Sequence, residues 1–278
     1  MRASFSLYMK KQKLSPILYL PHGGGPLPLL GDPGHTGLIS FLSNIRGKLG
    51  EPRAILVVSA HWEASQQTIQ SAANPGLLYD HSGFPPETYE ITYPAPGHPE
   101  LAQKIHTKLG KAGFSSTLDG NRGFDHGVFV PLKMIFPEAE VPCFQISLIK
   151  GLDPAQHIAL GRALHFLRSQ NVLIVGSGMS FHNMRAFFAT GQSDRRPDLE
   201  FDEWLVKTCC SEDLTAAERD HHLINWDQAP SARYCHPREE HLIPLHVCYG
   251  AAGPDAPPAE LVFNGEVLGV KVSALLWS

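Results

Sequence analysis

Three histidines stand just after hydrophobic runs that are typical of buried β-strands. His22 follows the run ILYL, His61 follows ILVV, and His182 follows VLIV and a glycine-rich turn. If these strands are parallel, their carboxyl ends meet at one edge of a sheet, which is where open α/β sheets bind ligands. We therefore expect the three histidines to converge on a single site.

Histidine is the commonest metal ligand and an acid or base near neutral pH, and this chain has 15 of them. Three neutral imidazoles leave positions open on a divalent ion. Such a centre suits either zinc-dependent hydrolysis or the oxygen chemistry of non-haem iron. A further unligated histidine would move protons. Composition does not separate the two ions, because imidazole binds both well.

Two further motifs contain histidines that could join this site. The sequence CHPREEH at residues 235–241 has a proline and two glutamates that suit the start of a helix. The sequence FDHGV at residues 124–128 places His126 beside a glycine in a predicted loop. The other histidines that we considered lack such a context and are expected to be structural: His35, His98, His106, His157, His165, His221, His222 and His246.

Other catalytic motifs are not supported. The glycine run after His22 lacks both the Lys-Ser/Thr ending of a P-loop and the GxGxxG spacing of a dinucleotide turn. The sequence GSG at residues 176–178 is not the GxSxG of a nucleophile elbow, and the chain has no HExxH.

Short hydrophobic runs alternate with helical patterns along the chain. The predicted strands are 17–20, 55–58, 144–148 and 172–175, and the predicted helices are 37–49, 99–112, 155–170, 201–210 and 239–251. This alternation predicts an α/β fold in one domain over residues 1–278. We expect a central sheet, mostly parallel or mixed, with helices on both faces and the metal site at the carboxyl ends of the strands.

Two segments are expected to depart from this alternation. Residues 73–99 contain six prolines, which predicts a long loop of the kind that often lines sites. Residues 261–277 alternate like a hairpin, with Asn264-Gly265 as the expected turn.

Composition limits the partners and the location. The net charge of −4, with scattered basic residues, argues against nucleic acid. No apolar run approaches the roughly 18 residues of a membrane-spanning helix. Five cysteines without a CxxC pair, and no signal-peptide pattern at the start, predict a cytoplasmic protein. The oligomeric state stays open, a homodimer being the commonest arrangement.

Taken together, the histidine motifs resemble those of the class III extradiol ring-cleavage dioxygenases, and most closely the 4,5-DOPA extradiol dioxygenase branch. The resemblance extends in order from about Leu18 to Gly250. The motifs that carry it are PHGGG (21–25), SAHWE (59–63), FDHG (124–127), GSG with HN (176–178 and 182–183), and HPREEH with PL (236–241 and 244–245).

The resemblance implies a role for each matching residue. His22 and His61 match metal ligands, and His241 best matches the third, although the wider superfamily often has glutamate there and Glu239 and Glu240 lie close by. His182 matches the acid/base histidine. His126 matches a histidine that contacts substrate or transfers a proton, and His236 would line the pocket.

The same resemblance implies an Fe(II)-dependent enzyme that inserts both atoms of O2 into a catechol and opens the ring next to the diol. Trp62 and Phe129 would supply apolar walls for the flat ring. Zn(II) binds such sites more tightly than Fe(II), so purified protein can acquire it. The alternatives are a zinc-dependent hydrolase that uses the same histidines and a non-catalytic metal-binding module on the same fold.

Overall fold

A computed structural model describes residues 14–187 and 196–278. Within them, the β-strands are β1 (Ile17–Pro21), β2 (Ala54–Ala64), β3 (Gln67–Gln70), β4 (Ser116–Asp119), β5 (Cys143–Ile149), β6 (Val172–Gly178), β7 (Glu260–Val267) and β8 (Val270–Trp277). These eight strands form one sheet in the order β4-β3-β5-β2-β6-β1-β8-β7.

The α-helices of the described residues are α1 (Thr36–Asn44), α2 (Arg46–Leu49), α3 (Pro99–Lys111), α4 (His126–Ile135), α5 (Pro154–Leu164), α6 (Met184–Phe187), α7 (Arg196–Cys210), α8 (Ala216–Ile224), α9 (Ala232–Cys235) and α10 (Ile243–Ala252). Short 3-10 turns occupy Leu27–Leu30, Pro33–His35, Pro86–Tyr89, His165–Gln170 and Trp226–Gln228. No helix in these parts of the chain is long and apolar enough to cross a membrane.

The four central strands β5, β2, β6 and β1 are parallel, while β3 and β8 join them in antiparallel pairs. The predicted α/β fold with a mostly parallel sheet is therefore confirmed. Strands β1, β5 and β6 are buried along their whole length, as expected of strands that are covered on both faces.

Strand β6 shows how both faces are covered. A Cβ atom added at Gly176 would lie 2.8 Å from the Pro244 carbonyl oxygen, so α10 packs directly on that face. The Ser177 hydroxyl points the other way and donates a hydrogen bond to the Gly127 carbonyl oxygen of α4. Because side chains alternate along a strand, one strand contacts a helix on each side of the sheet.

Several expected boundaries were wrong. Strand β2 does not end at residue 58 but continues through His61 to Ala64, with a shift in its register to β5 after Val58. Strand β6 likewise includes the GSG sequence. The last predicted helix begins at Ile243 rather than 239, since Pro244 suits the first turn of a helix. The helix predicted over 155–170 is α-helical only to Leu164 and then tightens into a 3-10 turn.

The prediction that Asn264-Gly265 forms the hairpin turn was also wrong. Those residues lie inside β7 and pair with Ser273 and Val272. The connection is Leu268-Gly269, with φ angles of 50° and 79°. Two consecutive positive φ angles match the twist of the flanking strands, so backbone geometry selected this turn over the more usual sequence signal.

Candidate metal centre and active site

Five histidines from five segments meet at the carboxyl edge of the central strands. His22 follows β1, His61 lies near the end of β2, His126 begins α4, His182 follows β6, and His241 precedes α10. The rings of His22, His61 and His241 have centroids 4.9, 5.3 and 5.0 Å apart. The His182 ring stacks on the His241 ring at 3.4 Å, and the His126 ring lies 3.9 Å from that of His61.

The hydrogen bonds of His22 define its tautomer. Its Nδ1 lies 3.0 Å from the Ser177 hydroxyl oxygen. Because Ser177 already donates its only proton to Gly127, it accepts from the Nδ1–H of His22. The Nε2 atom is then left with its lone pair. Burial, followed by repulsion from the neighbouring histidines, holds the pKa of His22 well below its usual value and keeps the ring neutral.

His61 presents its Nε2 atom to the same point, 3.1 Å from the Nε2 of His22. Burial and the nearby His126 lower its pKa to about 3. Arg122 donates a hydrogen bond to the His61 carbonyl oxygen and pairs with Asp125, which accepts from Ser59 in β2. This network ties the end of β2 to the start of α4.

His241 and His182 share one carboxylate. The Oε1 atom of Glu240 lies 3.0 Å from Nδ1 of His241 and 3.3 Å from Nδ1 of His182. A carboxylate only accepts, so both rings donate through Nδ1 and keep Nε2 free. Burial would raise the pKa of Glu240, but the hydrogen bond from His182 and the charge of Arg238 hold it below its usual value. Burial, then repulsion from His182, lowers the pKa of His241 well below normal.

His126 has a carboxylate partner of its own. Asp80 lies 2.8 Å from its Nδ1 and also accepts from its backbone N–H. Burial opposes the charge of Asp80, but these contacts with His126 outweigh it and lower the pKa of Asp80 to about 2. Asp80 therefore fixes the orientation of the His126 ring.

Steric crowding explains why glycine follows His22. Gly23 has a φ of 86°, and a Cβ there would lie 2.7 Å from Pro28 and 2.9 Å from the His35 ring. The Nε2 atom of His35 accepts a hydrogen bond from the Gly24 N–H. His35 therefore has the structural role that was expected of it, since it fixes the turn that follows His22.

The histidines form one end of a cavity of about 740 Å³, a size typical of small-molecule sites. The residues that line it are His22, Gly23, Gly24, Gly25, Leu27, His61, His81, Ser82, Gly83, Phe84, His126, Met179, His182, Met184, Phe187, His241 and Leu268.

Three residues expected in the pocket are not among them. Trp62 packs under the Arg122 guanidinium, 4.6 Å from the ring centroid. Phe129 is fully buried in the core. His236 is fully buried between Phe201 and Trp226. None of these three side chains lines the cavity. Neighbouring residues point in different directions once a strand or helix forms, so a position next to a motif histidine did not place them in the cavity wall.

His81 and Asp80 were missed by sequence reasoning. His81 lines the cavity, is 8% exposed, and has no hydrogen-bond partner at either ring nitrogen among the residues that the structure describes. The only available signal was their position in the proline-rich loop that was expected to line a site.

Buried neutral histidines make stability depend on pH. Burial lowers the pKa of His236 to about 3 and of His246 to about 4. Their unfolded pKa is about 6.5, so the unfolded chain binds more protons below that pH. We expect the free energy of unfolding of metal-free protein to fall as the pH is lowered from about 6.5 to 4, by about 1.4 kcal/mol per pH unit for each such histidine. Urea titrations at several pH values measure this, and a flat profile would contradict it.

The donor set fits a divalent metal ion. Rings that bind one ion through nitrogens about 2.1 Å away have centroids about 5 Å apart, as the rings of His22, His61 and His241 have. By ligand atoms alone, His22, His61 and His126 lie within 4.8 Å of one another, whereas His241 groups with His182 and Glu240. The ring separations are what place His241 with His22 and His61. Neutral, hydrogen-bonded imidazoles are the form that metals bind.

An α/β sheet that gathers such histidines at its carboxyl edge, in the motif order given above, is the arrangement expected of the class III extradiol dioxygenases. Residues 15–271 match the family described as the catalytic LigB subunit of aromatic ring-opening dioxygenase. The chain therefore belongs to the LigB family, and it is an extradiol aromatic ring-opening dioxygenase.

Relatives and a solved structure agree with this membership. Dioxygenase tasH of Hapsidospora irregularis is 40% identical over 95% of this chain and 86% of its own length. The 4,5-DOPA dioxygenase extradiol of Beta vulgaris is 39% identical over 81% of this chain and 82% of its own length. The crystal structure of the uncharacterized protein JW3007 from Escherichia coli K12 has a TM-score of 0.76 and 28% identity, covering 95% of this chain and all of that one.

Proposed function

We propose that this protein is an Fe(II)-dependent dioxygenase that opens a catecholic ring next to its diol, with His22, His61 and His241 as metal ligands. The observation that carries the proposal is the near-equilateral triangle of these three rings in the wall of a cavity. A bound Fe(II) ion would supply the redox chemistry that joins O2 to the ring. Both oxygen atoms enter the product, so no external reductant is needed.

The protein prepares the ligands before any ion binds. Ser177 orients His22, and Glu240 orients His241, each through Nδ1. Carboxylate and hydroxyl partners of this kind fix the ring and raise its basicity as a ligand. Glu240 is thereby engaged as a partner of two rings, and Glu239 pairs with Arg233 at 2.7 Å. Both observations favour His241 over these glutamates as the third ligand.

Two histidines remain for proton transfer. His182 donates through Nδ1 to Glu240, and His126 donates through Nδ1 to Asp80, so each keeps an Nε2 that can accept a catechol proton. Each carboxylate then stabilises the imidazolium that forms. The apolar side chains around the rest of the cavity exclude water from the reacting ring.

The direct test is anaerobic loading of metal-free protein with Fe(II), Zn(II) or no metal, followed by oxygen and a panel of catechols. We expect one O2 consumed per catechol and a new visible absorbance with Fe(II) alone. Metal-free and zinc-loaded protein are the controls. Hydrolysis that needs zinc and no oxygen would instead support a zinc hydrolase and refute the proposal.

A further inference from the structure

The cavity has two chemically different ends. His22, His126 and His241 lie at its buried end, since they are 1%, 7% and 4% exposed. The rest of the wall consists mainly of glycine and apolar side chains, the latter being Leu27, Phe84, Met179, Met184, Phe187 and Leu268. A catechol held by its hydroxyls at the histidine end therefore directs its ring substituent toward an apolar wall.

The apolar wall continues to the mouth of the cavity. Met184 is 50% exposed and Leu268 is 37% exposed, although both line the cavity. Exposed apolar side chains that adjoin a site are typical of surfaces that bind apolar ligands. Phe84 also lines the cavity and packs so tightly on Gly25 that a Cβ atom added to this glycine would lie 2.8 Å from the Phe84 ring.

The backbone at Leu268 is held in an unfavourable conformation. Its φ of 50° suits glycine or asparagine, and a leucine there carries strain. The Leu268 N–H donates to the Gly34 carbonyl oxygen, and its methyl groups lie 3.0 Å from Cβ positions built on Gly24 and Gly34. The side chain thus reaches across the glycine run into the cavity wall.

Charge also distinguishes the apolar end. In residues 14–187 and 196–278, none of the side chains that line the cavity is a lysine or an arginine. A carboxylate on the substituent would be removed from water with no lysine or arginine among these described lining residues to pair with it, which is unfavourable. An alkyl or similar apolar group meets no such penalty.

We infer that the substrate is a catechol with an apolar substituent of several carbon atoms, bound by Leu27, Phe84, Met184, Phe187 and Leu268. The inference rests on the proposed function for the diol end and adds the class of substituent. It assigns these side chains to substrate specificity, outside the metal ligands and the proton-transfer groups.

A series of 4-alkylcatechols, from methyl to butyl, tests the inference with Fe(II)-loaded protein. We expect kcat/KM to rise by about fourfold for each methylene group that is buried, and to level off when the chain reaches the mouth. The kcat/KM for the anionic 3,4-dihydroxyphenylacetate should be at least about tenfold lower than that for 4-ethylcatechol. Calorimetric binding of the same compounds to zinc-loaded protein provides a second measurement, with a heat-capacity change that grows more negative along the alkyl series.

Leu268→Asn isolates one wall residue. Asparagine tolerates the left-handed backbone, so the variant should fold with at least the wild-type thermal stability. We expect this variant to lose most of the difference between 4-butylcatechol and 4-methylcatechol, read as the ratio of their two kcat/KM values in the same preparation. Leu261→Asn is the matched control, since Leu261 is 38% exposed in β7 and does not line the cavity.

The outcomes separate this inference from the proposed function. Equal kcat/KM for the acid and the alkyl series would overturn the inference and leave the dioxygenase proposal intact. If no catechol is cleaved, the proposed function fails. In that case, an affinity of zinc-loaded protein that rises with the length of the alkyl group still supports the apolar subsite. An affinity that does not depend on the length of the alkyl group overturns it.

Discussion

The His241→Ala variant is expected to bind a divalent metal about 10³-fold more weakly than the wild-type protein, whereas His126→Ala keeps near-normal affinity. Apparent binding energies of about 10–16 kcal/mol shared among a few ligands make each one worth several kcal/mol. Two rings that bind one ion at right angles have centroids at least about 4.6 Å apart. The His61–His126 separation of 3.9 Å is shorter, while the His61–His241 separation of 5.0 Å fits.

Metal content after dialysis against a weak chelator, with competition against a chromogenic chelator, measures this difference. Glu240→Gln is a graded control, because it keeps the ligand and weakens the group that orients it, for an expected loss of about 10–100-fold. Full occupancy in His241→Ala together with loss in His126→Ala would assign the third ligand to His126.

The second large effect is expected from His182→Gln. The variant should keep its metal and its substrate affinity within a few-fold and lose about 10²–10⁴-fold in kcat, because general acid–base catalysis typically contributes that much. Glutamine retains an N–H that can bond to Glu240, so the His241 ring keeps its neighbour. A structural role for His182 would instead appear as loss of metal or of thermal stability.

Steady-state oxygen uptake and metal analysis on the same preparation separate these cases. The pH profile of kcat should also change shape, since a proton-transfer group has been removed. His221→Ala is a matched control, because His221 lies on α8 and bonds to Asn225 outside the cavity. A kcat for His182→Gln near that of the control would exclude proton transfer by His182.

Much of the fold was predictable because its signals are local. The apolar runs around Ile17, Ile55 and Val172 predicted parallel central strands, and each is a strand of the observed sheet. The short outer strands β3 and β4 were not predicted, since they carry few apolar residues and depend on pairing with their neighbours. The turn at Leu268-Gly269 was missed for a similar reason, because pairing with β8 fixed the register against the local Asn264-Gly265 signal.

The sequence by itself determined that histidines follow strands of one sheet, and hence that His22, His61 and His182 would meet at one edge. Their chemistry follows from residue type and from topology. Whether a neighbouring side chain faces that edge was decided only by tertiary structure. Trp62 and His236 turned away from the cavity, while His81 and Leu268 joined its wall from distant loops. The physical reason is that side-chain direction depends on register, bulges and packing between elements far apart in the chain, which no short motif records.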